Sequence, residues 1–313
     1  MSRYAERINR EYPVRRKPRE KEAFRLWLVG ALREMGYDPS LQTRETPLQV
    51  GAQVTNVIAG DPEKAKLILA AHYDTGIRTL LPPLIMPTRP ATALLYQALT
   101  PVGVMLGALV LSFALTYPFH APKATFPLFL ILLFASLLYL RFGPSETNNI
   151  CDNASGVAAL LETAAALTPG QRGNVAFVFL DGGFGGMSGA KGFRQKYPSA
   201  KEKPVVNVSC VALGDELVIL PGRYARWQGD MLDALLDSFD GVDNKTVFLK
   251  TDGLTYFPSD NRAFRFSISI FACEFIRGFG RIIVPRKARS VDETNLQILK
   301  DGLCNLCENV RNI

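Results

Sequence analysis

LILAAHYDT, residues 67–75, and NNICDNASGVAAL, residues 148–160, are the two stretches from which the rest of the chain can be read. The first is an aliphatic run that ends in His72 and Asp74. Such a run reads as a strand buried on both faces, which delivers the polar residues after it to its carboxyl end. The second sets Asp152 on a turn of small residues just ahead of an alanine-rich helical pattern at 154–166. An imidazole at a strand end and a carboxylate at a helix start are ligand types that hold zinc. Asp152 also suits plain helix capping, because Asp-Asn-x-Ser before an apolar helix satisfies the first free N–H groups.

Outward from these stretches the chain alternates. Helical spacing covers 23–35, 154–166, 188–196, 226–239 and 293–310. Strand-like runs cover 54–59, 67–71, 174–180, 205–213, 217–220, 246–249 and 267–272. Alternating strands and helices predict an α/β fold with a mainly parallel mixed sheet flanked by helices, and a site at the carboxyl ends of its strands. The expected organisation is a basic segment at 1–21, an α/β domain from 22–76 and 144–313, and an inserted helical hairpin at 77–143.

The insert is set apart by charge. Residues 91–119 and 124–140 contain no Asp, Glu, Lys or Arg. A membrane-spanning helix needs about 20 apolar residues, with about 17 as the lower limit. A core helix of a soluble protein shows a polar face, and 128–140 shows none. Tyr96, Tyr117 and Tyr139 lie near the expected ends, as interfacial aromatics do. A hairpin leaves both flanks on one side of the membrane. There the nearby cations are Arg78, Arg89 and Arg141, against Lys123 in the far loop. This bias predicts an integral membrane protein whose α/β domain is cytoplasmic.

Net charge is +7, and residues 1–21 hold eight basic against three acidic side chains, 8 − 3 = +5. This reads either as a solvated terminus or as a segment drawn to anionic headgroups, at about 1 kcal/mol per basic residue. No basic stripe interleaved with aromatics runs through the rest, so nucleic acid is not expected as a partner. Five cysteines in a chain of 313 residues argue against a disulfide framework. Cys304 and Cys307 fall on the last helical pattern, where packing is the default.

The motifs NVIAG, AAHYDT, DNASGVAALLE and SD-x-x-x-F together resemble the co-catalytic zinc aminopeptidases, metallopeptidase family twenty-eight, which includes a glutaminyl-cyclase branch. The resemblance runs from about residue 55 to the C-terminus, the hairpin excluded. It implies an aminopeptidase-like sandwich in which His72 and Asp152 occupy zinc-ligand positions and Asp74 orients His72 from behind. It also implies a loop carrying two adjacent glutamates, a general base and a ligand. Here that loop reads FLDGGFGGMSGAKGF, residues 179–193. Matching Gly186, Gly189 and Phe193 to the family pattern puts the base position on Gly183 and the ligand position on Phe184. The next ligand position falls on Ser209, and the last, a histidine in the family, on Arg289. His120 is the only other histidine, and it lies in the hairpin loop.

His72 and Asp152 alone keep ligand chemistry, and the base is gone. The expectation is a membrane-anchored pseudopeptidase that needs no cofactor and acts by binding a peptide or protein partner. Two alternatives stand beside it. One is an active zinc aminopeptidase with rearranged ligands, in which Asp74, Asp152, Asp181 or Asp215 gather around His72. The other is a structural subunit of a membrane complex. The glycines of GGFGG have neither dinucleotide nor P-loop spacing, so a phosphate cradle is not expected.

Overall fold

The computed structural model describes residues 3–45, 53–79, 83–184, 186–240, 245–284 and 290–310. In chain order these form α1 (Arg3–Glu11), α2 (Pro18–Glu34), β1 (Ser40–Glu45), β2 (Gln53–Ala59) and β3 (Leu67–His72), then the hairpin helices α3 (Pro90–Thr116) and α4 (Thr125–Phe142). After them come α5 (Ser155–Ala166), the single turn α6 (Pro169–Arg172), β4 (Val175–Leu180), α7 (Ser188–Lys196), β5 (Val205–Val208), β6 (Glu216–Pro221), α8 (Gly229–Ser238), β7 (Thr246–Leu249), β8 (Ser267–Ile276), β9 (Gly280–Ile282) and α9 (Glu293–Asn309).

The strands make one mixed sheet in the order β1-β2-β4-β3-β5-β8-β6-β7, with β9 beside β8. Its centre, β4-β3-β5-β8, is parallel. β2 and β6 join that centre antiparallel on either side. Every residue of β3, β4 and β5 is buried, which is why these strands read as unbroken aliphatic runs. Side chains divide with period two. Leu67, Leu69 and Ala71 join Phe177, Phe179, Phe24 of α2 and Leu299 of α9 in the larger core layer. Ile68 and Ala70 face the other way, with Val178 and Phe193 of α7.

Boundaries moved where local geometry overrode pattern. The strand expected over 205–213 stops at Val208, because Cys210 takes a left-handed φ of 56° that an extended strand cannot hold. The helix expected over 226–239 starts at Gly229. β8 runs on to Ile276 to pair with β9, which the pattern did not suggest.

The expectation of a solvated N-terminus is corrected. Tyr4, Ala5 and Ile8 of α1 are core residues, and Arg15 is 1% exposed. Lys21 Nζ lies 2.5 Å from the buried carboxylate of Asp181. Arg16 donates to the carbonyls of Arg141 and Gly143, at 2.7 and 2.5 Å, and so ties this segment to the base of the hairpin.

α3 and α4 lie against each other, and their tips are joined by the hydroxyls of Thr116 and Thr125, 2.7 Å apart. Pro127 falls in the first turn of α4, where its missing N–H costs nothing. The reading as soluble core helices fails: α4 has no buried residue, and α3 buries only Ala93, Ala108, Ser112 and Thr116. Three of the hydroxyls along them return to their own helices. Thr100, Ser112 and Ser136 donate to the carbonyls of Tyr96, Leu109 and Leu132, so none of these three hydroxyls is left bare on an apolar helix. By length and composition both helices can cross a membrane.

Candidate functional site

The register of β3 on β4 pairs His72 with Leu180, so the loop after β4 opens over the end of β3. That loop turns toward Asp74. Gly183 donates its N–H to Asp74 Oδ1 at 2.9 Å, and Phe184 donates to Oδ2 at 3.3 Å. Asp74 thereby spends its carboxylate on the loop, and it does not lie within ion-pair distance of His72. The orienting role read for Asp74 is corrected on that ground. Asp260 Oδ2 lies 3.9 Å from His72 Nδ1. Asp152 approaches the other ring nitrogen, Nε2, at 4.0 Å. It sits in a π-turn, Ile150–Ala154, that leads into α5.

The positions assigned by resemblance converge here, with one outside the described residues. A Cβ built on Gly183 would lie 3.2 Å from Asp74 Oδ1, 3.2 Å from His72 Cδ2 and 3.3 Å from Asp260 Oδ2. Position 183 thus faces the centre of the cluster and brings no side chain to it. Phe184 sets its ring edge-on to His72, with centroids 5.9 Å apart at 72°. Ser209 donates to the backbone carbonyl of Asp152 at 3.2 Å and so supports the turn. Arg289 lies outside the described residues.

Two side chains near the site went unread in the sequence. Asp260 belongs to the SD-x-x-x-F motif, residues 259–264, whose spacing alone does not point it at His72. Arg15 looked like one more cation in a basic run. Its guanidinium is buried behind the site and donates to the carbonyl of Tyr73 at 2.6 Å, to the carbonyl of Tyr12 and to Asn153 Oδ1. Burial pulls its pKa down to about 10, while Asp74 and Asp152 pull it back up, so it stays a cation at neutral pH. A fixed positive charge therefore stands behind the carboxylates of the cluster.

The zinc pair that the resemblance implies does not fit these residues. Each ion needs its own ligand set and an oxygen bridge. Positions 183, 184 and 209 supply glycine, an aromatic ring and a hydroxyl turned to the backbone. Nor do other acids replace them. Asp181 is held by Lys21 and accepts N–H groups from Thr55 and Gly182 at 3.0 and 2.7 Å, and Asp215 is exposed. Among the described residues no group of three or more His, Cys, Asp or Glu side chains is placed to hold a metal.

Asp260 Oδ1 and His72 Nδ1 have no hydrogen-bond partner among the described residues. Burial raises the Asp260 pKa from 3.8 to about 6; His72 opposes the shift, and Asp74 and Asp181 add to it. The folded protein therefore prefers the protonated acid. That preference contributes fully below pH 3.8 and is lost as pH rises through 6, after which the carboxylate costs on the order of 2–3 kcal/mol. Asp260→Asn is expected to raise the melting temperature in detergent at pH 8, with the gain shrinking toward pH 4. A gain that does not change with pH would show that the carboxylate carries no such cost.

A cavity of about 1030 Å³ opens from this cluster. Its inner end is lined by His72, Asp152 and Asp260, and it continues between the hairpin helices past Val104, Leu111 and Leu132.

A mixed sheet of this order, with acids and an imidazole gathered at the carboxyl ends of its parallel strands, is an α/β sandwich with its cleft at the strand ends. Residues 140–278 match the sequence model of peptidase family M28. Solved structures agree in fold. Glutaminyl cyclase from Porphyromonas gingivalis is 15% identical, with a TM-score of 0.62 over 99% of this chain and 96% of its own. A Zn-dependent exopeptidase from Parabacteroides distasonis is 14% identical, with a TM-score of 0.60 over 99% and 96%. A leucine aminopeptidase precursor from Bacteroides thetaiotaomicron is 16% identical, with a TM-score of 0.57 over 97% and 93%. At these identities the likeness is one of fold. Comparison with curated proteins gives no match.

Proposed function

We propose that this chain is a membrane-anchored M28-type protein that binds a ligand at its cleft without hydrolysing it. The observation that carries this reading is the loop after β4. Metal-assisted hydrolysis needs a base to take a proton from water and ligands to hold the ion. At the point where position 183 faces His72, Asp74 and Asp260, the chain supplies a glycine and then a phenylalanine laid against the imidazole. The family resemblance suggests a peptide or protein partner, for which the cleft end at His72 and Asp152 is the contact.

Membrane anchoring is supported by two long apolar helices that expose Leu106, Val110, Phe113, Phe134 and Leu137. A continuous apolar surface of this kind is rare on soluble monomers. Arg78 and Arg141 at the hairpin base favour a cytoplasmic α/β domain.

The test is hydrolysis of aminoacyl-arylamides by the detergent-purified protein with added zinc. No metal-dependent turnover is expected, either from the wild type or from the double variant Gly183→Glu, Phe184→Glu. In that variant Ser209 still turns its hydroxyl to the backbone, and the carboxylate introduced at position 183 enters beside Asp74 and Asp260. Zinc-dependent turnover by either protein overturns the reading.

A further inference from the structure

Two loops of the α/β domain are bonded to the segment that leads into α3. Tyr256 donates its N–H to the carbonyl of Pro87 at 2.9 Å. Arg89, directly before α3, donates to the carbonyl of Gly278 at 2.5 Å. Each of these loops carries bare apolar side chains. Leu254 is 85% exposed, Phe275 and Phe279 are each 58% exposed, and Ile276 is 40% exposed. Exposed apolar residues scattered singly need no account, but a group gathered at one point does.

Both loops are held in place. Arg226 donates to the carbonyl of Gly253 and the hydroxyl of Thr255, at 3.0 and 2.7 Å, on either side of Leu254. The other loop is the tip of the β8-β9 ribbon. β5 pairs with β8 only as far as Ile270, and β6 only as far as Cys273. From Glu274 to Ile276 β8 pairs with β9 alone. The ribbon therefore projects past the carboxyl end of the sheet, the end from which the chain leaves β3 for the hairpin. Its root is docked on α3, where Ile282 is buried with Met86 and with Ala93 of the first turn. Its turn is closed by the N–H of Phe279 on the carbonyl of Ile276 at 3.0 Å, with Gly278 at a φ of 89°. Turns that face water favour Gly, Asn, Asp and Ser. This one reads FIRGFG, residues 275–280.

We infer that Leu254, Phe275, Ile276 and Phe279 form an apolar collar at the base of α3 that seats in the headgroup region of the bilayer, a lipid contact of the α/β domain separate from the hairpin. This rests on the membrane-anchored reading above and goes beyond it. The level of the collar follows from the length of α3. Its 27 residues run about 40 Å at about 1.5 Å each. A bilayer is about 30 Å thick in its hydrocarbon core and about 40–45 Å with its headgroup regions. A spanning helix of that length begins among the headgroups, and both loops are bonded within three residues of its start. Phenylalanine, leucine and isoleucine gain there by leaving water. Arg277, exposed at the apex of the turn, suits the same place, where a long stem lies on apolar surface and its cation reaches the water.

The experiment uses the full chain in phosphatidylcholine nanodiscs, loaded at no more than one chain per disc. The discs carry a phosphatidylcholine with a diazirine near the top of one acyl chain, and labelled peptides are mapped by mass spectrometry. Labelling is expected within 90–142 from the two helices, and also within 252–257 and 274–280. Lys201 and Glu202 are exposed beside the amino end of β5, at the other end of the sheet, and their peptide is expected to stay unlabelled. Leu254→Asp is expected to lower labelling of 252–257 about tenfold, and Phe279→Asp that of 274–280 by as much, because a carboxylate is driven out of the interface. Both positions are exposed, so the fold tolerates both changes, and labelling of the helices is expected to stay as it was.

Labelled helices with both loops bare overturn the collar and leave the anchoring in place. Helices and loops bare together remove the anchoring itself. Labelling of the Lys201 peptide as strong as that of the loops means contact without a preferred face, and overturns the collar. Loops that stay bare at one chain per disc and slow their amide exchange at two are covered by a second copy, which overturns the bilayer assignment.

Discussion

Arg15→Ala is expected to cost about 3–5 kcal/mol of stability, enough to leave most of the detergent-solubilised protein unfolded or aggregated. The guanidinium is fully buried and carries three acceptors at once: the carbonyls of Tyr12 and Tyr73 and the side-chain oxygen of Asn153. Its backbone is fastened too. Arg15 donates its N–H to Thr75 Oγ1 at 2.9 Å, and Thr75 donates its N–H to the Arg15 carbonyl at 3.1 Å. The side chain also lies 5.1 Å over the ring of Phe24. Alanine leaves buried acceptors unpaired, each costing about 1–3 kcal/mol and not additively. It also removes the cation that faces Asp74 and Asp152.

Lysine keeps the charge but presents a single ammonium, which cannot span three separated acceptors. Arg15→Lys is therefore expected to recover less than half of the loss. Arg19→Ala, at an exposed position of the same basic run, is the control and is expected to stay within about 0.5 kcal/mol of the wild type. The comparison is made by thermal unfolding followed by circular dichroism in detergent. An Arg15→Ala protein that melts with Arg19→Ala would mean that the segment is not locked to the site.

That contrast also marks where the sequence stops being readable. β3 and β4 were legible because burial on both faces leaves only aliphatic side chains. The hairpin was legible because helices that expose apolar side chains all round have no polar stripe to display. β1 was not, since SLQTRE buries little and is held by its register on β2, from Ser40 opposite Ile58 to Glu45 opposite Gln53. Which arginine of a basic run turns inward is decided by acceptors 58 and 138 residues away, and no local pattern records that.

The site divides the same way. His72 and Asp152 could be read as candidates because each sits at the end of a local element, and the fold brings the two side chains within 4.0 Å. Asp260 could not, because it reaches His72 only through the order β3-β5-β8. Asp74 was assigned to the wrong neighbour: two residues from His72 in sequence, it is captured by the N–H groups of Gly183 and Phe184.

Gly189→Ala is expected to cost about 3–5 kcal/mol, although it adds one methyl group to a helix. A Cβ at 189 would stand 2.0 Å from the carbonyl oxygen of Asp181 and 2.5 Å from Asn56 Oδ1. Neither is the free end of a flexible side chain. The Asp181 carbonyl accepts the N–H of Gly189 at 3.0 Å. Asn56 accepts from the N–H of Asp181 at 2.9 Å, and it donates to the carbonyl of Gly189 at 3.0 Å and to Gln42 Oε1 at 2.9 Å. Making room means moving the start of α7 off the end of β4, which breaks this buried network. Gly30→Ala is the counterpart. Position 30 lies within α2, and a Cβ there meets nothing within 4 Å. Relief of glycine's backbone entropy is expected to stabilise that variant by about 0.5–1 kcal/mol. Opposite signs for one chemical change would show that Gly189 is required by close approach and not by helix propensity, and coincident melting of the two variants would refute it.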